Sequence, residues 1–281
     1  MQQRQAPGST YSATDGAAYE RFIGRWSRRL ADPVIAFAEP LPDGPLLDVG
    51  TGTGSVALAL AERHPGRAIT GADLSEPYLA FAAARPGAAG IDFRREDACG
   101  MSFAEDSFAA TFAVLVLNFV KDPLAAAREM RRVTQPGGVV VAAGWDFRGG
   151  LVYQRILWDS AASIDPDAAA VRDRLFSAPL ALPDGMPALF RSAGLEDVRR
   201  DSVTIRMDFA DFADYWDPLL GGQGPVGGYV AGLPAAKQEA VREAVRAAYL
   251  AGAPDGERSL TATAWVVRGT APKRPGTKGN A

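Results

Sequence analysis

A doubly wound α/β domain with a mostly parallel sheet is the fold class this sequence predicts, on three observations. Short apolar runs alternate with amphipathic stretches between Pro45 and Trp145, at a pitch of roughly twenty residues that suits repeated strand–helix units. The first run ends in a glycine loop, Gly50-Thr51-Gly52-Thr53-Gly54, which passes directly into an Ala- and Leu-rich stretch. Acids also recur at the ends of successive runs, at Asp48, Asp73 and Asp97.

Taken in order, helix signals open the chain at Tyr19–Trp26 and Pro33–Ala38. Pro45–Val49 reads as a buried strand, Ser55–Arg63 as a helix, Ala68–Ala72 as a second strand and Pro77–Ala84 as its crossover helix. Ile91–Arg95 is a third strand and Ala110–Leu117 a fourth. Leu124–Val133 carries its charges on one helical face, and Pro136-Gly137-Gly138 turns the chain into a fifth strand, Val139–Trp145. Beyond Trp145 the rhythm changes. Leu151–Ile164, Pro187–Ala193, Phe212–Leu220 and Ala235–Leu250 read as helices, and Val198–Met207 and Thr261–Val267 as strands. Gly221-Gly222-Gln223-Gly224 is expected to be an exposed loop or hinge.

Composition narrows the function. In a 281-residue chain, 47% hydrophobic and 22% charged residues fit a folded α/β domain and argue against disorder. A net charge of -3 gives no basic field to gather phosphates, so a nucleic-acid partner is not expected. The single cysteine, Cys99, forms no internal disulfide, no metal site is expected, and the anticipated setting is the reducing cytoplasm. No apolar run spans a bilayer; the longest, Phe112–Val120, is interrupted by Asn118. Residues 1–15 and 272–281 read as flexible tails around one domain over 16–271, with cap elements in about 147–190 and 210–258.

The glycine loop carries the chemistry. Glycines between a strand and a helix let the backbone turn sharply and let a ligand approach the main chain, while the helix start offers unpaired N–H groups. A dinucleotide fingerprint, Gly-x-Gly-x-x-Gly counted from Gly50, needs a third glycine where this chain has Ser55. The spacing here is Gly-x-Gly-x-Gly behind Asp48, and an acid there suits a ligand bearing ammonium and sulfonium charge. Asp73, with Leu74 beside it, ends the second strand about twenty residues on, where a carboxylate accepts both ribose hydroxyl protons. Ser75 is the better cap for the next helix, which frees Asp73. Asp97 follows the third strand, placed to accept an adenine amino proton while Ala98 donates its N–H.

Leu46–Gly54, Asp73, Asp97-Ala98, Val114–Pro123 and Arg128–Val141 together resemble class I S-adenosylmethionine-dependent methyltransferases. The similarity is closest to the ubiquinone/menaquinone-biosynthesis-like (methyltransferase type 11) group, with Leu117–Pro123 and Glu129–Gly138 most alike. The resemblance implies S-adenosyl-L-methionine as cofactor and a seven-stranded Rossmann-like sheet whose last strand is antiparallel beside the fifth. It implies that Asp48, Gly50, Thr51, Gly52 and Gly54 hold the methionine end, flanked by the Val114–Leu115 backbone. Asp73 would hold the ribose, and Asp97 and Ala98 the adenine. Tyr19–Ser27 is similar to the helix that covers the cofactor, with Arg25 and Tyr19 reaching the methionine carboxylate.

Many relatives carry histidine after the fourth strand, where this chain has Asn118 and Phe119, so no histidine base is available there. The only histidine, His64, falls at the far end of the helix after the loop. Asp146, at the ligand-binding edge after the fifth strand, and Asn118 are the catalytic candidates. Trp145, Tyr153, Tyr215, Trp216 and Tyr229 suggest an apolar cap over a small or medium apolar acceptor. A non-catalytic S-adenosylmethionine-binding module and a nucleotide-dependent oxidoreductase are the alternatives; the acceptor atom and oligomeric state are not encoded in any pattern.

Overall fold

A computed structural model describes residues 15–273; the two terminal tails read from the sequence fall almost entirely outside these. The helical opening comprises α1 (Gly16–Tyr19), a π-helical turn (Glu20–Gly24) and α2 (Arg25–Ala38). Then β1 (Leu46–Val49), α3 (Ser55–Arg63), β2 (Ile69–Asp73), α4 (Glu76–Ala83) and β3 (Ile91–Arg95) form the first half of the sheet. The second half adds β4 (Phe108–Val114), α5 (Pro123–Val133) and β5 (Thr134–Trp145). Helices α6 (Val152–Ala162), α7 (Pro166–Phe176) and α8 (Gly185–Ser192) lead to β6 (Glu196–Phe209). Finally α9 (Phe212–Trp216), α10 (Gly224–Gly232) and α11 (Ala235–Leu250) precede β7 (Arg258–Thr270).

The strands make one seven-stranded sheet in the order β3-β2-β1-β4-β5-β7-β6. The first five are mutually parallel, and β7 runs antiparallel between β5 and β6. Alternate side chains divide between two cores: Leu46, Phe112, Val139 and Val141 face α2, α3 and the aromatic residues of α6, α9 and α11, while Leu47, Val49, Ala113 and Val140 face α5 and α8. Strand order reverses between β1 and β4, and in open α/β sheets ligands bind at that switch point, outside the carboxyl ends of the strands.

Four features differ from the sequence reading. The opening is one helical rod, with Pro33 inside it, because Leu30, Ala31, Val34, Ile35 and Ala38 continue a single fully buried stripe. Burying that stripe outweighs the roughly 3 kcal/mol cost of an interior proline. Helix α7 was not anticipated, although Asp165 caps it and Pro166 occupies its first turn, both recognisable start signals. Helix α10 was hidden by its glycines, whose use is close packing: a Cβ on Gly227 would lie 2.9 Å from the Gly222 carbonyl carbon. Last, β5 begins at Thr134, so Pro136-Gly137-Gly138 is a register irregularity within a strand, pairing resuming at Ala110 and Val139.

Candidate active site

A cavity opens at the switch point, built from the ends of β1, β2, β3, β4 and β5, the opening helix and the cap. Gly50 and Gly52 form its floor, with φ of 67° and 54°, conformations that glycine adopts without steric cost. Beneath them Asp48 is 1% exposed and faces inward: Thr51 Oγ1 donates to its Oδ2 at 2.6 Å and the Ala57 N–H at 3.1 Å. Asp48, Thr51 and Gly54, which the resemblance places at the methionine end, instead shape the loop from below and are not on the cavity wall.

Burial pushes the Asp48 carboxyl up to about 7, against the lowering effect of its two hydrogen bonds. The native state then holds this proton more tightly than the unfolded chain, whose aspartates titrate near pH ~4. The stability this group contributes is full below about pH 4 and is lost as pH rises through about 7. Accordingly, Asp48→Asn should flatten the decline in melting temperature between pH 5 and pH 8; an unchanged slope would show that Asp48 is ionised throughout.

Asp73 lies on the wall. The Gly52 N–H donates to Oδ2 at 2.8 Å and the Ser75 N–H to Oδ1 at 2.8 Å, with the Leu74 N–H also directed at it. A carboxylate has about four acceptor positions, so capacity remains toward the cavity. Burial raises its pKa. Leu74, Asp97 and Ala98 are also on the wall, Asp97 fixed by accepting the Cys99 N–H at 2.9 Å. Leu115 lines the opposite side with φ of 64° while its N–H donates to the Ala143 carbonyl. This left-handed geometry costs a non-glycine residue about 1–2 kcal/mol, ends β4 early and swings the side chain into the cavity. Val114 stays buried in the strand.

The opening helix roofs the cavity with Tyr19, Phe22 and Ile23. A latch absent from the sequence reading holds it down: Glu20 Oε1 accepts from Thr53 Oγ1 and, at 3.1 Å, from Arg85, which also donates to the Thr53 carbonyl at 3.0 Å. Burial pushes the Tyr19 phenol up to about 12. Arg25 is not brought to the cavity. Its guanidinium pairs with Asp214 at 2.8 Å and lies 4.4 Å from the centroid of the buried Trp26 ring.

Of the acceptor-side candidates, Trp145 and Tyr153 line the cavity. Asp146 does not: its Oδ1 caps the following turn, accepting the N–H groups of Arg148 (3.1 Å) and Gly149 (2.9 Å). Asn118 sits in a 3-10 turn against Gly144 and is also off the wall. Tyr215 and Trp216 are buried in the aromatic core, and Tyr229 donates to Asp165 at 3.0 Å. The Gly221–Gly224 segment is no open hinge. Gln223 is 2% exposed, accepts from the Tyr78 hydroxyl at 3.2 Å, and leads to the lining residues Pro225 and Val226. Asp146→Ala is thus expected to cost about 1 kcal/mol of stability through its lost cap and to leave cofactor affinity unchanged, as denaturation and calorimetry would show.

His64 ends α3 beside Glu39, away from the cavity. Among the described residues no cluster of His, Cys, Asp and Glu fits a metal ion, and no helix is long and apolar enough to cross a membrane.

A methyltransferase-domain family model matches residues 47–142. A demethylmenaquinone methyltransferase of Roseiflexus castenholzii is 31% identical over 58% of this chain and 73% of its own length. One of Thermus thermophilus is 40% identical over 42% of this chain. The match covers 52% of that relative, so the chain spans about half the length of the curated relative it matches there. A nocamycin O-methyltransferase of Saccharothrix syringae is 29% identical over 68% of this chain and 72% of its own length. A Haemonchus contortus phosphoethanolamine N-methyltransferase shares the fold, with TM-score 0.56 and 19% identity over 92% of this chain and 57% of that one. The chain belongs to the class I S-adenosylmethionine-dependent methyltransferases, in the ubiquinone/menaquinone-biosynthesis-like group.

Proposed function

We propose that this protein transfers a methyl group from S-adenosyl-L-methionine to a small or medium apolar acceptor. One observation carries the reading: the glycine floor, Asp73 and the Asp97–Ala98 edge share one cavity with the apolar side chains of Phe119, Trp145, Phe147, Leu175 and Val226. The donor set suits the cofactor. Gly50 and Gly52 leave main-chain surface open for the methionine end, the Asp73 carboxylate suits the ribose hydroxyls, and Asp97 with the Ala98 N–H suits adenine. Leu115 and Tyr19 line the same cavity.

The cofactor supplies an electrophilic methyl carbon on a sulfonium, which departs as neutral sulfide. Alignment and dryness are what this chain must add. Phe22, Ile23, Phe119 and Trp145 exclude water from the compartment, and the Glu20–Arg85–Thr53 latch holds the roof. No histidine lies on the wall, which suits an acceptor that needs little help losing a proton. The relatives named above include demethylmenaquinone methyltransferases and a nocamycin O-methyltransferase, names that support a small-molecule acceptor.

The test incubates the protein with methyl-labelled S-adenosylmethionine and a panel of quinols, phenols and apolar amines. Label moving into the organic extract of at least one acceptor is the expected result. Saturable cofactor binding with no label transferred across the panel would favour a non-catalytic binding module.

A further inference from the structure

Helices α5 and α8 both end at the edge of the sheet where β5 and β6 begin, opposite the edge that carries the switch-point cavity. A second depression opens beside their ends and shares no lining residue with that cavity. Four arginines (Arg128, Arg131, Arg132 and Arg191) and two glutamates (Glu105 and Glu129) line it. Methyl transfer at the switch point uses none of them. In a chain whose net charge is -3, this group of arginines is a local reversal of the overall field.

These charges are not equivalent. Arg132 and Glu129 are engaged with each other: Nε and Nη2 donate to the two carboxylate oxygens at 2.9 and 2.8 Å. Arg132 also donates to the Phe103 and Met101 carbonyls, both at 2.9 Å, and Glu129 accepts the Met101 N–H at 3.1 Å. This neutral pair fastens the connection between β3 and β4. Arg131 is held in place by a different contact. Its Nη1 donates to the Ala193 carbonyl at 2.9 Å, and the guanidinium lies against Gly194, where a Cβ would collide with it. Arg128 and Arg191 are exposed, and among the described residues neither guanidinium has a hydrogen-bonding or ionic partner. A helix end carries about half a negative charge, so the ends of α5 and α8 offset about one positive unit, and Glu105 offsets another. Arg128, Arg131 and Arg191 together exceed that sum, which leaves the depression positive.

We propose that this depression is a second ligand site, in which Arg128, Arg131 and Arg191 bind the phosphate group of a small molecule. A guanidinium presents its N–H donors as a planar fork, which pairs two at a time with the oxygens of a phosphate. Several forks around one depression suit a compact group with three acceptor oxygens and close to two negative charges. Arg131 is fixed before the ligand arrives, so part of the ordering is already done in the free protein. A nucleic acid or an anionic membrane calls for an extended basic surface. Here the basic character is confined to one depression on an acidic chain, which selects a compact anion. Because the two sites share no residue, this ligand and the cofactor can be bound together.

The test is a calorimetric titration at low ionic strength of the intact chain with phenyl phosphate, inorganic phosphate and benzoate in turn. S-adenosylhomocysteine is present throughout, so that the glycine loop at the switch point does not capture the phosphate. Phenyl phosphate should bind one-to-one in the submillimolar range, and about tenfold more tightly than benzoate, which offers one carboxylate charge. Arg128→Gln and Arg191→Gln should each weaken it by about tenfold, the loss of a charge-assisted hydrogen bond, and leave S-adenosylhomocysteine affinity unchanged. Both side chains are exposed and unpartnered, so these variants keep the fold. Inorganic phosphate matching the ester would identify the phosphate group alone as what is read; a tighter ester would point to a phosphorylated metabolite. No saturable binding of either phosphate at millimolar concentrations, equal affinity for benzoate, or full affinity in the Arg128→Gln/Arg191→Gln double variant would overturn the proposal. Tighter binding of a hexaglutamate peptide than of either phosphate would also overturn it, in favour of an acidic protein segment.

Discussion

Asp73→Ala should weaken S-adenosylhomocysteine binding by more than tenfold, and on the order of a hundredfold if both ribose hydroxyls are held, since hydrogen bonds to a charged group contribute about 1.5–3 kcal/mol each. The carboxylate has two duties. It organises the Gly52 and Ser75 N–H groups within the protein, and it presents its remaining acceptor capacity to the cavity. Asp73→Asn separates them: the amide oxygen still accepts one backbone N–H, but the charge is gone. Calorimetry on both variants, with melting temperatures alongside, distinguishes a lost ligand contact from a disordered loop. Near wild-type affinity in folded Asp73→Ala would remove Asp73 from the ribose site.

The glycine loop supplies the second large effect, and its two floor residues should fail in different ways. A Cβ on Gly50 would lie 2.5 Å from Val116 Cγ2, and its φ of 67° is unfavourable for any side chain. Left-handed strain of about 1–2 kcal/mol and overpacking of about 1–3 kcal/mol make Gly50→Ala a folding defect of about 2–5 kcal/mol. A Cβ on Gly52 meets no atom nearer than 3.9 Å and is added to the cavity floor. Gly52→Ala should therefore cost only the strain, about 1–2 kcal/mol, yet abolish measurable cofactor binding because the main chain is no longer approachable. If Gly52→Ala binds normally, the ligand does not lie against this loop.

The sheet was legible because its signals are local: apolar runs of strand length, a glycine loop at a strand end and acids at successive edges. Asp73, Leu74, Asp97, Ala98 and Leu115 meet on one cavity wall for the same reason, since strand ends in a doubly wound sheet converge at the switch point. Asp48 shows the limit of that logic. Its position in the sequence identifies the loop, but its side chain turns inward to Thr51 and Ala57. Arg25 and Asp146 fail for a related reason. Each found a partner that no sequence pattern announces: Asp214, distant in the chain, for Arg25, and the next turn's own N–H groups for Asp146.

The rest of the cavity wall was the least legible part. Trp145 and Tyr153 stood out as aromatics, yet aromatic residues of the same kind at Tyr215 and Trp216 are core. Only packing separates them. Gln154 and Glu20 carried no signal at all, because a lone amide or carboxylate on a helix is ordinarily solvated. Glycine misled in one segment: at Gly224–Gly232 it permits close helix packing, where the sequence suggested a loose connection.

The account's central claim is that the cavity at the switch point encloses S-adenosylmethionine, and a calorimetric titration of the purified protein with S-adenosylhomocysteine tests it most directly. Saturable one-to-one binding, absent with NAD at the same concentrations, is the predicted result. No detectable heat with S-adenosylhomocysteine, or preferential binding of NAD, would contradict it.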